Sequence, residues 1–517
     1  TLNGTGFSTD GALRNVSGNN TWQGYVYLGS DSRINADSGT TLTIANPTDI
    51  NADILNGLTS GQNLTVGGVG NTTVNGGIAG NINNVVKDGT GTLELAGSNG
   101  YAGATNVTEG AVKVTNSNGL SGTGVTVTSG AALQFAQATL PSTANISVGG
   151  VGATINGTGL SNGGAIQNLN GSNSYAGAIT LGSAASIKAD AGSTLTLSGG
   201  IDVSTPSHHA LTIGGAGNIT ETGAIKNGSV TTNASYSPNG GANTYTVLTG
   251  TGTGGTLDKV DTGTLTLQGG ATSALDGITL TLGNITVTGT NTLVQAGPIS
   301  SAHASNVLTI DSGAKVEGYY SSGTIAAANT FTGQLAGAGT FQKDGAGVLV
   351  FDTTFTATNL TLLVTGGELD FRNSAQITLG TLHFAGNTVL DFDSNTATLL
   401  SSTNVIIDAG VTVTVNGWAS GTDFWLASGS FYSLNGITQT NAVTNATGSN
   451  PESQITFANW TNLNTTWIET PSPHGGYTNT EIRPVPEPAT SGALLLSAAL
   501  ALLAYRRLPR RSPLRLD

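Results

Sequence analysis

The 517-residue chain contains no cysteine and no methionine, and only 9% of its residues are charged. Without cysteine there is no disulfide scaffold, no thiolate zinc site and no cysteine nucleophile. Aromatics make up 5%, so large core anchors are scarce. The formal net charge is −13, and the main body carries no basic stripe, which speaks against nucleic acid as a partner. Residues 1–10 show neither a basic n-region nor an apolar h-region, so a signal peptide is expected either to have been removed or to lie ahead of Thr1. What is abundant is glycine. Its 77 positions are about 15% of the chain, roughly twice the usual share. So much glycine, with so much Thr, Ser and Asn, suits turns and short strands and disfavours helices. Charge is too low, and short apolar runs too frequent, for a disordered chain.

Internal repeats organise the sequence. Residues 24–44 (GYVYLGSDSRINADSGTTLTI) and 177–197 (GAITLGSAASIKADAGSTLTL) are identical at 11 of 21 positions. A second unit recurs as LTVGGVG at 64–70, ISVGGVG at 146–152 and LTIGGAG at 211–217. A third recurs at Lys87, Lys259 and Lys343, as KDGTGTLELAG, KVDTGTLTLQG and KDGAGVLVFD. A fourth is Asn-x-aromatic-x-Gly, from Asn20 to Gly24, Asn99 to Gly103 and Asn173 to Gly177. Short units repeated in this way are what a stacked architecture looks like in sequence.

The units read as strands. Thr41 to Ile44, Leu93 to Leu95, Val125 to Val127, Leu265 to Leu267, Ile285 to Val287 and Val411 to Val415 alternate apolar with polar residues. Period two places Leu, Val and Ile on one face and Thr on the other. Gly, Asn and Asp close each run. The strands are short and their inward residues modest in size, which favours a solenoid over a sandwich. We therefore expect an all-β, right-handed parallel β-helix over residues 1–415. At about 20–25 residues per coil this gives roughly 17–20 coils and a rod of roughly 80–95 Å. Residues 416–484 hold Trp418, Trp425, Trp460 and Trp467 with Phe424, Phe431, Tyr432 and Phe457. They are expected to form an aromatic-rich β cap over the last coil, followed by a Pro/Gly linker. Exposed, the same rings would suit a carbohydrate-stacking patch.

Lys87-Asp88-Gly89-Thr90-Gly91-Thr92-Leu93-Glu94-Leu95, then Asn99-Gly100-Tyr101-Ala102-Gly103-Ala104-Thr105, then Gly110 to Val114, resembles an autotransporter-associated β-strand repeat. The match is dense over 87–114. It weakens at 259–287, where Asp261 replaces the first glycine, and at 343–371, which lacks the Asn-x-Tyr element. The resemblance implies a passenger-like β-helix stalk of an exported bacterial protein.

The end of the chain is a different object. Five of the 16 basic residues lie in the last twelve positions; without residues 489–517 the body is left at −17. Val485-Pro486-Glu487-Pro488 precedes Ala489 to Tyr505, 17 residues without a charge, and then Arg506-Arg507-Leu508-Pro509-Arg510-Arg511. As a single hydrophobic helix this segment spans about 26 Å, enough for a short membrane crossing. Arginines on its far side place that end in the cytoplasm. The order of Pro486, Glu487 and Pro488, an apolar helix, and a basic end opened by Arg506 and Arg507 resembles a PEP-CTERM sorting signal over residues 485–517. The resemblance implies recognition by a membrane-embedded exosortase-type peptidase, with 489–505 as a transient anchor before the body reaches the cell surface or the extracellular space.

Catalytic patterns are weak. His208, His209, His303, His383 and His474 show no metal-ligand spacing,. Gly67-Gly68-Val69-Gly70 precedes neither a helix nor a Lys-Ser/Thr, so it reads as a turn and not as a phosphate cradle. The glycine-rich repeats lack the aspartate of a calcium roll, and Asp391 to Asn395 lacks the glycine and distal glutamate of an EF-hand loop. No metal site, cofactor or catalytic residue is expected. The expected function is that of an exported structural repeat protein. The alternatives are a polysaccharide-binding adhesin, which would hold glycans or exopolysaccharide, and a β-helix lyase or hydrolase.

Overall fold

The computed structural model describes residues 1–46, 54–56, 61–137, 145–204, 208–226, 255–268, 272–393, 397–418, 423–427, 431–434, 437–440, 443–445, 454–458 and 480–481. Within them the chain forms a parallel β-solenoid of about 16 turns. The count is a little below the expectation because some turns take more residues than others: Leu211 pairs with Leu257, 46 positions on.

Each turn crosses three faces. Face A starts at Asn19–Trp22 and Thr41–Ile44, runs through Asn71–Val74, Thr92–Leu95, Ala111–Val114 and Ala132–Phe135, and ends at Val413–Asn416 and Ile455–Phe457. Face B starts at Leu13–Asn15, continues through Gln62–Gly68, Ile82–Lys87, Thr105–Val107 and Val125–Val127, and reaches Val443–Asn445. Face C is clearest from Ser147–Val148 through Ser172–Tyr175, Thr194–Leu197 and Asn218–Glu221 to Gln334–Gly337. Long strands such as Val26–Ala36 and Ile179–Ala189 bend across two faces.

The alternation seen in sequence sets what each strand buries. Thr41–Ile44, Thr92–Leu95, Thr194–Leu197 and Thr264–Leu267 all turn Leu or Ile inward and leave Thr or Glu half exposed. In-register stacking then piles like on like: Leu95 lies between Val74 and Val114, and all three are fully buried. Among the described residues, strands inside the stack are paired on both sides, which leaves open ladders only at its ends,.

Towards the C-terminal end the interior ladder becomes aromatic. Phe331, Phe351, Phe371 and Phe392 follow one another in register on face A. Their ring centroids are 6.3, 6.1 and 5.4 Å apart, and Trp418 and Phe457 extend the series at 5.1 and 5.5 Å. Trp425 packs edge-on against Phe384 and is wholly buried. Trp418, Trp425 and Phe457 are therefore core residues, and these rings are not available to stack on a sugar. Trp460 and Trp467 lie outside the described residues. The ladders also run on past residue 415: Phe424–Ala427 and Ile455–Phe457 pair parallel with the turn before, and Thr480–Glu481 pairs antiparallel with Leu426 and Ala427. The hydrophobic segment 489–505 lies outside the described residues; within them no helix is long and apolar enough to cross a membrane.

The sequence repeat is larger than its best-matching stretch. Residues 1–8 (TLNGTGFS) and 154–161 (TINGTGLS) agree at six of eight positions. Both lead into a 3-10 turn, Phe7–Thr9 and Leu160–Asn162, entered through Gly6 and Gly159 with φ of 78° and 77°. The same side-chain network follows. Asn20 donates to Asn15 Oδ1 and Asn173 to Asn168 Oδ1, while Asn15 and Asn168 each donate to a glycine and a threonine carbonyl. Residues 1–44 and 154–197 are thus two copies of one unit. The copies are out of phase with the solenoid. Leu13–Asn15 sits on face B, whereas its counterpart Ile166–Asn168 sits on face A. The second copy is advanced around the axis by one face.

Candidate functional site: the lysine corners

Chemistry-bearing side chains gather at the corners where face A or B hands the chain to the next strand. Lys87 ends the strand Ile82–Lys87 at the same inward parity as Val85. Its aliphatic stem lies in the core and its Nζ donates to three carbonyl oxygens: Asp88 at 2.8 Å, Gly89 at 2.6 Å and Glu109, one turn later, at 3.3 Å. Three donors on an ammonium thus meet three acceptors. Lys259 repeats the arrangement with Val260, Asp261 and Leu282, at 2.6, 2.8 and 3.3 Å. Lys343 does so with Gly345, Gly347 and Gly366, at 2.8, 2.6 and 2.6 Å. Its ammonium also sits 5.9 Å from the centroid of the Tyr320 ring. All three lysines are buried, and burial pushes each ammonium down to about 8, with neighbouring carboxylates opposing the shift.

The glycines of the motif follow from this geometry. Gly89 has φ +72°, a left-handed turn that aims its carbonyl at the ammonium. Asp261 takes the same place with φ +62°. Aspartate tolerates this conformation better than most residues, and its carboxylate is anchored by Gly215 N–H at 2.9 Å and Lys188 Nζ at 3.1 Å. That explains why the second repeat departs from the motif without losing the corner. Gly91 has a separate role: a Cβ there would run into the Gly70 carbonyl of the preceding turn.

The Asn-x-aromatic-x-Gly unit ties turns on both sides. Asn99 Oδ1 accepts from Ile78 N–H at 2.8 Å, and its Nδ2 donates to Gly119 O at 2.6 Å. Tyr101 is fully buried, sharing a 2.6 Å hydrogen bond with Thr105 and accepting from Ser121 N–H.

Residues 85–114 match the family model of the passenger-associated transport repeat. The matched stretch contains Lys87 together with all three of its carbonyl partners, the Asn99 bridge and buried Tyr101. In this chain the matched stretch therefore holds one turn to the next. Searches of curated proteins and of solved structures returned no match.

Elsewhere, Glu221 is a solitary buried carboxyl in the interior ladder between Leu197 and Leu267. It accepts from Gly223 N–H at 2.7 Å, and burial pushes its carboxyl up to about 7. His383 and Asp408 pair at 2.9 Å on adjacent turns of face B. Among the described residues no group of three His, Asp or Glu side chains is placed to hold a metal ion. Asp391 lies in register with Asp370, each on an outward strand position, and residues 394–396 lie outside the described set. The sorting-motif residues Pro486, Glu487, Pro488, Arg506 and Arg507 also lie outside it. The inward lysines were missed by sequence reasoning, although a signal existed. Lys87, Lys259 and Lys343 share strand parity with Val85, Leu257 and Phe341, all of them core residues.

Proposed function

We propose that the protein is an exported bacterial surface or matrix rod, structural and not catalytic, sorted through residues 485–517. The observation that carries this reading is where the transport-repeat signature goes. Its lysine, glycines, asparagine and tyrosine all face inward or bridge turns, so the repeat builds length and leaves no reacting group at a pocket. The PEP-CTERM-like tail supplies the route: an exosortase-type peptidase recognises Pro486, Glu487 and Pro488 while 489–505 holds the membrane and Arg506 and Arg507 mark the cytoplasmic side. The acidic body keeps the released rod soluble. Fractionation with intact-mass measurement of the native product tests this. The expected product lies outside the cell and ends near residue 486. Glu487→Ala should leave a full-length, membrane-retained form, and unchanged processing and release of that variant would refute the sorting reading.

A second reading, glycan adhesion, is favoured by one surface feature. Tyr25, just ahead of the strand Val26–Ala36, and Tyr27 within it are 38% and 37% exposed, with ring centroids 5.8 Å apart. Glycan-array binding of residues 1–484, lost in Tyr25→Ala/Tyr27→Ala, would establish it.

A further inference from the structure

Five successive strands in the middle of face C turn a regular row of hydroxyls to solvent. They are Thr194–Leu197, Asn218–Glu221, Thr264–Leu267, Asn284–Val287 and Val307–Ile310. In-register pairing sets Thr196, Thr220, Thr266, Thr286 and Thr309 in one outward column. Thr194, Asn218, Thr264, Asn284 and Val307 form a second column beside it. Asn218 Oδ1 accepts from Thr264 N–H and Asn284 Oδ1 from Val307 N–H, both at 3.1 Å, which ties this column from turn to turn. These pairings run without a register shift, whereas pairings elsewhere in the stack are interrupted. The pleat sets the grid: about 4.8 Å from turn to turn and about 6.7 Å between the columns, so five turns span about 19 Å.

Among the described residues no protein group engages the hydroxyls of Thr196, Thr220, Thr266, Thr286 or Thr309. Threonine is stiff at χ1, and neighbours in the column are of the same kind. Hydroxyl and methyl groups are therefore held in place before anything binds, which lowers the cost of binding. Neither a charge nor an aromatic ring occupies an outward position on these strands. The same stretch of the stack carries Asp258 on face A, and Lys226 and the Lys315–Glu317 pair on face B. Neutrality thus belongs to this face and not to these turns as a whole. Strand propensity explains threonine at any one outward position. It does not explain the same residue in register over five turns on a face that also excludes charge.

We propose that this ladder is an ice-binding face. Its partner is the ordered water lattice of a crystal surface, whose oxygen repeats are comparable to both spacings of the grid. Each threonine hydroxyl takes the place of one lattice water, and the methyl groups between hydroxyls hold the intervening waters in order. Such water-mediated contacts are nearly as favourable as direct ones. A neutral face matches a neutral lattice. A sugar is a poorer match because no ring is present to stack on it. A protein partner is a poorer match because the aromatic, Met and Arg groups that fill interface cores are missing from the face.

The complete chain is to be measured for thermal hysteresis and for uptake into a slowly grown ice hemisphere, and both are expected. Thr220→Tyr/Thr266→Tyr raises two rings from the middle of the ladder and should abolish both. Tyrosine is a good strand former, so hydrogen exchange of residues 194–197 and 284–287 should be unchanged. Thr220→Ser/Thr266→Ser keeps the stack free of bulk, removes two methyl groups and should lower uptake. Thr212→Tyr/Thr279→Tyr puts the same rings on face A of neighbouring turns and should leave uptake at the parent level. Absence of hysteresis and uptake in the parent chain overturns the proposal. So does equal loss in the face A and face C tyrosine pairs, or parent-level uptake in both face C pairs. Retention on insoluble cellulose or chitin without ice uptake, lost in the face C tyrosine pair, would assign the ladder to a polysaccharide and overturn the reading. Concentration-dependent association without ice uptake, lost in the same pair, would assign it to a second copy and do the same.

Discussion

Replacing Lys343 with methionine isolates what the corner ammonium does. Methionine keeps an unbranched stem of similar length in the core and removes all three donors. Gly345 O and Gly366 O then lose the lysine at 2.8 and 2.6 Å, whereas Gly347 O keeps the Glu368 amide at 3.1 Å. A buried carbonyl left without a partner costs roughly 1–3 kcal/mol. Part of that cost is offset, because a desolvated charge is removed as well. We therefore expect a net destabilisation of about 2–4 kcal/mol confined to the turns joined at this corner. A stack of this length need not unfold as one unit, so the readout must be local. Native-state hydrogen exchange of the amides from Thr365 to Glu368 should accelerate roughly 30- to 1000-fold, while amides near Lys87 stay unchanged. The pH profile adds an independent check. Lys343 titrates near 8 when folded against an ordinary 10.5. Between those values the unfolded chain holds a proton that the folded chain has shed, so stability at this corner rises with pH across that window and is flat below it. Lys343→Met should lose that slope. If its exchange and its pH profile both match the parent chain, the carbonyl clamp is not what holds the corner.

Three further perturbations follow from the same geometry. Glu221 titrates near 7 when folded, above its ordinary 4.5; the folded chain therefore retains a proton the unfolded chain loses, and stability falls as pH rises from about 4.5 to 7. Glu221→Leu, matching Leu197 and Leu267 in register, should abolish that decline and raise the thermal midpoint at pH 8 but not at pH 4. Phe371→Ala removes the ring between Phe351 and Phe392 and should cost about 3–5 kcal/mol, seen as faster exchange in residues 348–392. Asp261→Val forces a β-branched residue to φ +62° and discards the Gly215 and Lys188 contacts. By the same measure it should destabilise its corner more than Asp261→Gly, which loses the same two contacts but adopts the positive φ without strain, as Gly89 does,.

Much of this architecture was readable from the alternation of Thr with Leu, Val and Ile, because period two and in-register stacking are consequences of the same pleat. The glycine-punctuated units at Lys87, Lys259 and Lys343 were readable as a stacked repeat. The direction in which those lysines point was not, since a charged residue at an inward position is recognisable only once three backbone carbonyls are known to meet there. The tryptophans at 418 and 425 left cap and sugar-stacking patch both open for a related reason. A cluster of rings in sequence does not say whether it lines a bore or decorates a surface, and here Phe392 and Phe384 decide it. The phase of the 44-residue duplication depends on loop lengths between the copies, which no local pattern encodes.

That phase has a consequence for any partner that recognises the duplicated unit. Had the copies been in register with the turns, equivalent surface groups would lie along a single stripe, and neighbouring rods could zip together along it. Advanced by one face, the second copy presents the same groups at a different azimuth. Two identical binders would leave the shaft in divergent directions, and flat side-by-side packing of shafts through that unit is geometrically blocked. A long, paired, Thr-rich β structure at high concentration would otherwise be a candidate for lateral aggregation. Here the winding of the duplication distributes its repeated surface around the shaft.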